Sequence, residues 1–325
     1  MPPPEIIFND VSLASQPATD HNSARCCFEE FVAAIGGLIE SGLATPVLRS
    51  RFSLLEAEIQ TQAGGAWEVS SWLEDKSVDR DMKSLIWKLD SKIPIEEGLN
   101  LEQDQEEYLI SYEYRAAQIA GPDVYALGVA LLTNNIVASV PTAPIWDTCQ
   151  IDTYVCDNNT LVAKEVVDHV SHERHCTLLE NIFRARCFAS IADANQFLQS
   201  MATLFPNLTF SPDIEGQVVN VDFADLRNAM AKLQKMDETA SAWKTAGSDA
   251  PEYLFQWRSE SESTMSNKVF HAARVFRMPN GGTDVFEKHL DFSKRHRIHY
   301  IEDRAARTFI IGYLGNHLPT TKFPH

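Results

Sequence analysis

Apolar residues up to residue 235 recur mostly every three or four positions, with polar residues between them. This spacing puts one apolar stripe on a helix, so it predicts amphipathic helices that pack through one face. Residues 124–140 are predicted to form a buried helix that runs into a short strand, and 5–8 and 151–155 have the pattern of strands. The expected helices cover 28–39, 46–59, 79–89, 105–119, 192–204 and 222–235.

Beyond residue 269 the pattern changes to short runs of β-branched and aromatic residues. The segment 279–282, Pro-Asn-Gly-Gly, tolerates positive φ and predicts a hairpin turn, and the polar segment 302–306 predicts another. Strands joined by short turns pair antiparallel, so we expect four strands to form one small sheet. These strands are expected at 270–278, 285–290, 297–301 and 308–314.

Successive side chains of a strand point to opposite faces of its sheet. In the first strand of the second hairpin this alternation enriches one face in cations. Arg295, Arg297 and His299 are expected on one face, and His296, Ile298 and Tyr300 on the other.

These patterns together predict an α+β protein, in which a mainly helical N-terminal region is followed by a small antiparallel β-sheet. Two prolines and an asparagine in the segment 205–212 indicate a domain junction. We therefore expect an acidic, mainly helical domain at 1–205, a helical connector at 206–250 and a basic, histidine-rich β domain at 251–325.

Charge is divided unevenly along the chain, whose formal net charge is −17. Residues 1–256 hold 17 Lys and Arg against 38 Asp and Glu, whereas residues 257–325 hold 11 against 7, which gives −21 and +4. Six of the ten histidines also lie in the second segment, at positions 271, 289, 296, 299, 317 and 325. An acidic surface repels nucleic acid at long range, so only the basic C-terminal segment is a candidate for binding a polyanion.

Composition also bears on where the protein is found. No stretch approaches the roughly 18 apolar residues that a membrane span needs, because 124–140 is interrupted by Thr133, Asn134 and Asn135. The start, Met-Pro-Pro-Pro-Glu, lacks a basic patch followed by an apolar run, so we expect no secretory signal. The six cysteines are scattered, which favours reduced thiols. We therefore expect a cytoplasmic protein that does not bind a membrane.

Basic and histidine side chains of the predicted sheet could together cleave RNA without a metal. That reaction needs a base for the 2′-hydroxyl proton, an acid for the leaving oxygen and cations for the phosphorane. Histidine serves as acid or base near neutral pH, and arginine offers a bidentate fork for phosphate oxygens. The alternative is a solvated basic sheet face without chemistry. The candidate residues are Arg274, His289, Arg297, His299 and His317, with Glu287 and Tyr313 as possible members.

The end of the chain resembles the terminal β-hairpin of RelE/HigB-like toxin domains. The resemblance lies in Arg297-Ile298-His299-Tyr300, an acidic turn, and the run Phe-Ile-Ile-Gly-Tyr-Leu-Gly-Asn-His-Leu-Pro-Thr at 309–320. It covers only about the last 70 residues and implies a compact fold with a curved antiparallel sheet. Many members of that family cleave mRNA, often on the ribosome, and similar endings occur in bacterial proteins of toxin and phage-defence type. This chain departs from the small toxins in its large acidic N-terminal region.

The resemblance and the charge split together predict a toxin-like or phage-defence effector with a possible endoribonuclease activity. His289, His299 and His317 are the expected acid and base groups, and Arg274 and Arg297 the phosphate-binding cations. We expect no cofactor and no metal at this site, and the chain has neither a Walker A nor a Rossmann fingerprint. The expected partners are RNA or ribosome-bound mRNA for the β domain and a protein for the acidic region.

Two other classes of protein remain open. The toxin-like sheet could be a docking module in a non-catalytic interaction subunit of a bacterial defence or toxin–antitoxin complex. A zinc-stabilised regulator is also open, because imidazoles recur every three residues within 168–176 and Cys176 follows them. That spacing is not a standard zinc motif, and a hydrogen-bonded histidine cluster competes with it. The polar segment 257–263 is either a solvated linker or a source of carboxylates that pair with the arginines of the sheet.

Overall fold

The computed structural model describes residues 3–62, 64–90, 93–95, 97–118 and 121–321. The chain divides into two compact units, Met1–Phe183 and Arg184–His325. The boundaries expected after residues 205 and 250 both fall inside the second unit. Ile119 at the end of a predicted helix and His325 in the basic segment lie outside the described residues.

The first unit alternates short strands with helices. In chain order its elements are β1 (Ile6–Asn9), α1 (His21–Glu40), β2 (Leu48–Ser50), β3 (Glu58–Gln60), β4 (Ala66–Glu68), α2 (Val69–Glu74), α3 (Arg80–Leu89), β5 (Ile93–Pro94), α4 (Gln103–Ser111), β6 (Glu113–Ala116), α5 (Tyr125–Thr133), β7 (Ile136–Ser139), β8 (Gln150–Asp157) and β9 (Thr160–Val170). Helix α6 (Arg174–Ser190) follows and contains the division between the units.

A mixed seven-stranded sheet in the order β5-β2-β1-β7-β9-β8-β6 forms the centre of this unit. In this order, the neighbours among β5, β2, β1, β7 and β9 pair in parallel. Strand β8 pairs antiparallel with both β9 and β6. Ile6 and Phe8 pack with helix α1 in one core, and Ile7 packs with α5 in another. Strand β1 is therefore buried on both faces, as is usual for parallel sheets covered by helices.

The predicted fold class is wrong, because the N-terminal region is an α/β layer structure around a large mixed sheet rather than mainly helical. The predicted helix at 46–59 is instead β2, a 3₁₀ turn at Leu54–Glu56 and β3, and 105–119 contains both α4 and β6. Strands β2, β3 and β6 have only three or four residues, which is too short a run for alternation of apolar and polar residues to be recognised. Their pattern therefore cannot be told from a helix by periodicity alone.

The second unit places its helices before and between the strands of a smaller sheet. Its elements are α7 (Ala194–Leu204), β10 (Leu208–Phe210), α8 (Ile214–Val218), α9 (Phe223–Ala246), β11 (Arg258–Ser259), α10 (Glu262–Met265), α11 (Lys268–Ala272), β12 (Val275–Arg277), β13 (Thr283–Val285), β14 (Lys288–Asp291), β15 (His296–Asp303) and β16 (Thr308–Asn316).

Strands β10-β16-β15-β14-β11 form a five-stranded sheet in this order, in which β10 is parallel to β16 and the other pairs are antiparallel. Both predicted hairpins are present, as β12–β13 and β15–β16. The prediction of one four-stranded antiparallel sheet is wrong, because β12 and β13 form a separate ribbon and 268–272 is helical. The strands β10 and β11, which complete the sheet, come from segments outside the predicted meander.

The two faces of the five-stranded sheet have different surroundings. Ile298, Tyr300 and Ile311 point into an apolar core that they share with helices α7 and α9. His299 lies on the other face, where the Phe286 carbonyl accepts a hydrogen bond from its ring. Within the described part of the chain, no helix is long and apolar enough to cross a membrane.

Gly312 in β16 shows how tightly the face of the sheet that carries His299 is packed. A Cβ at this position would overlap the ring of the buried Phe286. We expect Gly312→Ala to lower the free energy of unfolding by about 1–3 kcal/mol, because a well-packed site accommodates an added methyl only through strain. Urea unfolding measures this change.

The matched control is Gly216→Ala in helix α8, where a Cβ would meet nothing within 4 Å. We expect its stability to be unchanged or slightly higher, because alanine reduces the entropy of the unfolded chain. Equal stabilities of the two variants would contradict the tight packing of Phe286 on β16.

Candidate active site

Strand pairing brings three of the predicted residues into one row on the face of the sheet that carries His299. His289 in β14 lies opposite His299 in β15, which in turn lies opposite Tyr313 in β16. Arg258 in the edge strand β11 pairs with His289 from the other side. Residues opposite each other in antiparallel strands share a face, so these side chains are neighbours.

Arg274 lies over this row and is fully buried. Its Nη1 donates hydrogen bonds to the carbonyl oxygens of Phe270 at 2.8 Å and Pro319 at 3.0 Å. Its Nη2 lies 2.7 Å from Oε1 of Glu260, whose side chain is 7% exposed. The predicted phosphate-binding arginine is thus already paired with a buried carboxylate of its own chain.

His299 is 1% exposed, and its Nδ1 lies 3.0 Å from the carbonyl oxygen of Phe286. A carbonyl only accepts hydrogen bonds, so Nδ1 carries the proton and Nε2 keeps the lone pair. Burial, assisted by the neighbouring His289 and Arg274, lowers the pKa of His299 to about 3. The ring is therefore neutral at physiological pH.

His289 is the more accessible imidazole, with 13% of its side chain exposed. Its Nδ1 lies 3.8 Å from Oε1 of Glu260 and has no hydrogen-bond partner among the residues that the structure describes. The ring centre is 5.1 Å from that of His299. Burial lowers the pKa of His289, and the negative charge of Glu260 opposes this effect. Glu260, Arg274, His289 and His299 together are called the buried cluster below.

Arg297 and His317 lie at the border of the buried cluster. Nε of Arg297 is 2.5 Å from Oδ1 of Asp291, and Arg258, whose side chain is 76% exposed, approaches the same carboxylate at 3.7 Å. His317 follows β16, is half-buried and contributes to lowering the pKa of His299. Two arginines and one aspartate leave this border with a net positive charge.

Tyr313 and Glu287, the two possible members of the predicted site, differ in their placement. Tyr313 donates a hydrogen bond from its hydroxyl to the Asn316 carbonyl at 2.9 Å and stacks on Phe276, with ring centres 5.2 Å apart. Glu287 is exposed, and its backbone carbonyl accepts a hydrogen bond from Glu260 at 3.1 Å. Tyr313 is therefore part of the packing around His299, and the Glu287 backbone holds the residue at the centre of the cluster.

Glu260 lies in the polar segment 257–263, for which the sequence left two interpretations open, a solvated linker or a source of carboxylates for the arginines of the sheet. Its pairing with Arg274 confirms the second interpretation, although the sequence did not single out Glu260. Arg258 and Ser259 form the edge strand β11, and the following Glu260 continues its hydrogen bonding to β14. The only signal in the sequence was that a carboxylate lay close to a segment rich in arginine.

The histidine-rich segment of the first unit does not assemble the predicted zinc ligands. His169 is fully buried in β9, with Nδ1 2.7 Å from the Thr148 carbonyl and Nε2 2.8 Å from Oγ of Ser139. Cys176 donates from Sγ to the Ala34 carbonyl at 3.4 Å. Burial lowers the pKa of His169 to about 3. His169 and Cys176 thus have separate hydrogen-bond partners of their own.

A different trio, Asp147, His172 and His175, comes together in the first unit, with its ligand atoms within 4.8 Å of one another. Nδ1 of His175 accepts a hydrogen bond from the Ser171 amide at 3.2 Å, so the proton of the neutral ring lies on Nε2. That Nε2 lies 3.2 Å from Asp147, which also pairs with Arg174. Both nitrogens of His175 are therefore engaged, and the trio is closed by its own hydrogen bonds.

Comparison of the chain with models of known protein families, with curated proteins and with solved structures finds no match. Inferences about function therefore depend on the residues and their geometry.

The depressed pKa of His299 predicts a pH-dependent stability. Its folded pKa of about 3 lies below the ordinary value of 6.5, so the unfolded chain binds the proton more readily. The stabilisation is complete above pH 6.5 and is lost as the pH falls toward 3. We expect His299→Gln to reduce the loss of unfolding free energy between pH 7 and pH 5 by about 2 kcal/mol.

Urea unfolding of both proteins at the two pH values measures this difference. His169 makes a similar contribution in the first unit, so the variant is still expected to lose some stability between pH 7 and pH 5. The measured quantity is therefore the difference between the losses of the wild type and the variant. An identical pH dependence in the two proteins would show that His299 is not buried as a neutral ring.

Proposed function

We propose that the second unit cleaves RNA by acid–base chemistry of its own side chains, as part of a toxin-like or phage-defence effector. The observation that carries the proposal is the convergence of three of the five predicted residues, Arg274, His289 and His299, around the carboxylate of Glu260. Arg274, His289 and His299 contact or neighbour Glu260, while Arg297 and His317 border them. The resemblance of the last strands to RelE/HigB-like toxin domains points to the same chemistry.

His289 is the best placed base in this arrangement. A proton on its Nδ1 faces the Glu260 carboxylate, which leaves the lone pair of Nε2 available. A lowered pKa keeps the ring unprotonated at neutral pH, and Glu260 stabilises the imidazolium that forms when it accepts a proton. The pair thus has the properties that a general base and its orienting carboxylate need.

Each residue at the border of the buried cluster has a role in the proposed reaction. Nε2 of His289 takes the proton from the ribose 2′-hydroxyl, the 2′-oxygen forms a bond to phosphorus, and the bond from phosphorus to the 5′-oxygen breaks. His317 donates a proton to that departing oxygen, and the product is a 2′,3′-cyclic phosphate. Arg297 and the exposed Arg258 hold the phosphate oxygens. His299 is buried beside His289 and fixes the position of its ring.

RNA or ribosome-bound mRNA is the proposed partner of the second unit, and a protein is the proposed partner of the acidic region, since residues 1–256 carry a net charge of −21. The proposed location is the bacterial cytoplasm. The six cysteines are free thiols, which suits a reducing compartment.

A second candidate function is a non-catalytic interaction subunit of a bacterial defence or toxin–antitoxin complex. The burial of Arg274 and His299 favours it, because a phosphate cannot reach either side chain without rearrangement. In this case the buried cluster stabilises the unit, and its substitution affects unfolding but no reaction.

Cleavage of a labelled RNA by the full chain in the presence of a chelator separates the two candidates. We expect His289→Ala to lower the rate at least about 100-fold, the usual contribution of a general base. Glu260→Gln is expected to lower the rate as well, because the imidazolium then lacks its counter-charge. Thermal unfolding of each variant is measured alongside.

The control is Arg304→Ala, which removes a 71% exposed arginine from the turn between β15 and β16 and is expected to cleave like the wild type. Intact RNA after incubation with the folded wild type, with free RNA or with ribosome-bound mRNA, would refute the cleavage proposal. A lower melting temperature of the Glu260 variant without any cleavage would then favour the interaction subunit.

A further inference from the structure

The buried cluster contains three side chains that can coordinate a metal ion. Glu260, His289 and His299 each offer one ligand atom, and these atoms all lie within 4.8 Å of one another. Two imidazoles and one carboxylate are a common set for zinc, which takes nitrogen and oxygen ligands at about 2.0–2.2 Å. Small side-chain movements would therefore bring the three atoms into one coordination sphere.

The hydrogen bond of His299 leaves one of its ring nitrogens free to bind a metal. His299 donates from Nδ1 to the Phe286 carbonyl, so its Nε2 carries the lone pair. A backbone carbonyl behind the ring is the usual arrangement for a metal-binding histidine, since it fixes the tautomer and the orientation. Phe286 is fully buried, so the carbonyl comes from a fixed part of the unit.

His289 supplies an independent observation. Its Nδ1 is buried beside Glu260 and lacks a hydrogen-bond partner among the described residues. An unpaired buried polar atom destabilises the folded protein, and a metal ion bound at Nδ1 would remove that cost. The trio of the first unit differs here, because both nitrogens of its His175 are already engaged.

We propose that Glu260, His289 and His299 form a binding site for a zinc ion that switches off the acid–base site. Oε1 of Glu260 lies 2.7 Å from Arg274 and 3.8 Å from Nδ1 of His289. An ionised carboxylate has about four lone-pair sites on its two oxygens, so Glu260 can pair with Arg274 and bind the metal as well. The positive charge of Arg274 weakens the attraction for a dication, which favours a reversible site over a permanent structural one.

Zinc would inhibit the proposed reaction because it changes the position of one proton on the His289 ring. A neutral imidazole has one proton and one lone pair, so a metal on Nδ1 of His289 forces the proton onto Nε2. The base proposed for the 2′-hydroxyl is then lost. The zinc site does not depend on the proposed function, whereas the inhibition rests on it.

Titration of the full chain with Co²⁺, followed by its visible absorption, and with Zn²⁺ in competition tests the site without RNA. We expect one ion per chain, with an affinity at least about 100-fold lower in His289→Ala, since loss of even an outer-shell partner costs 10–100-fold. His271→Ala, which removes a half-buried histidine outside the trio, is expected to bind like the wild type. Circular dichroism verifies that each variant is folded.

His172→Ala separates this site from the trio of the first unit and is also expected to bind normally. The proposal is overturned by the absence of stoichiometric binding, or by binding that His172→Ala abolishes and His289→Ala preserves. Cleavage assayed with a chelator and with added Zn²⁺ tests the inhibition separately. Binding without any cleavage would leave the zinc site standing and remove only its proposed effect on the reaction.

Discussion

The buried ion pair between Arg274 and Glu260 is the interaction on which the candidate site depends. A guanidinium stays charged in proteins, and moving it out of water is costly unless its donors and its charge are satisfied. Here two carbonyl oxygens accept from Nη1 and the Glu260 carboxylate balances the charge, while Nε and Nη2 have no hydrogen-bond partner among the described residues. Removal of either partner would leave a buried charge, which costs about 3–5 kcal/mol. The pair therefore fastens the segment between β11 and β14 over the face of the sheet that carries His289 and His299.

The same pairing explains why a basic segment does not produce an open cationic surface. Counts of charge along the sequence record side chains but not their partners. Three of the carboxylates that pair with cations of the segment 257–325 lie within it, and two, Asp213 and Asp225, come from earlier in the same unit, outside the segment that was counted. The pairs are Arg274 with Glu260, Arg297 with Asp291, Lys288 with Glu302, His296 with Asp225, and Arg277 with Asp213. The remaining positive charge lies at the border, on side chains such as that of Arg258.

Periodicity predicted those elements whose surroundings differ between two sides. Helices α1, α3, α7 and α9 and the hairpin β15–β16 have one apolar side. The sequence places α3, α7 and the hairpin close to their observed bounds, whereas the predicted helices 28–39 and 222–235 cover only part of α1 and α9. Strands at 5–8 and at the end of 124–140 were expected and are present as β1 and β7, although both are buried on both faces and carry no alternation. A two-residue edge strand such as β11 carries even less information. Since β11 positions Glu260, the sequence could offer only, as one of two interpretations, that a carboxylate of 257–263 pairs with the arginines of the sheet, and not which carboxylate or where.

The tautomer of His289 decides which chemistry the buried cluster can perform. With the proton on Nδ1, the ring faces Glu260 as a donor and offers the lone pair of Nε2 to a substrate. With the proton on Nε2, the lone pair of Nδ1 points toward Glu260 and, together with Nε2 of His299, completes a metal-binding set. Neither arrangement requires the backbone to move, because the Phe286 carbonyl fixes His299 in both. The buried cluster is too enclosed to form an extended cationic surface, but it can still bind a proton or a single metal ion. Because His289 is its more accessible imidazole, such binding changes the chemistry that His289 offers beside the border residues Arg297 and His317.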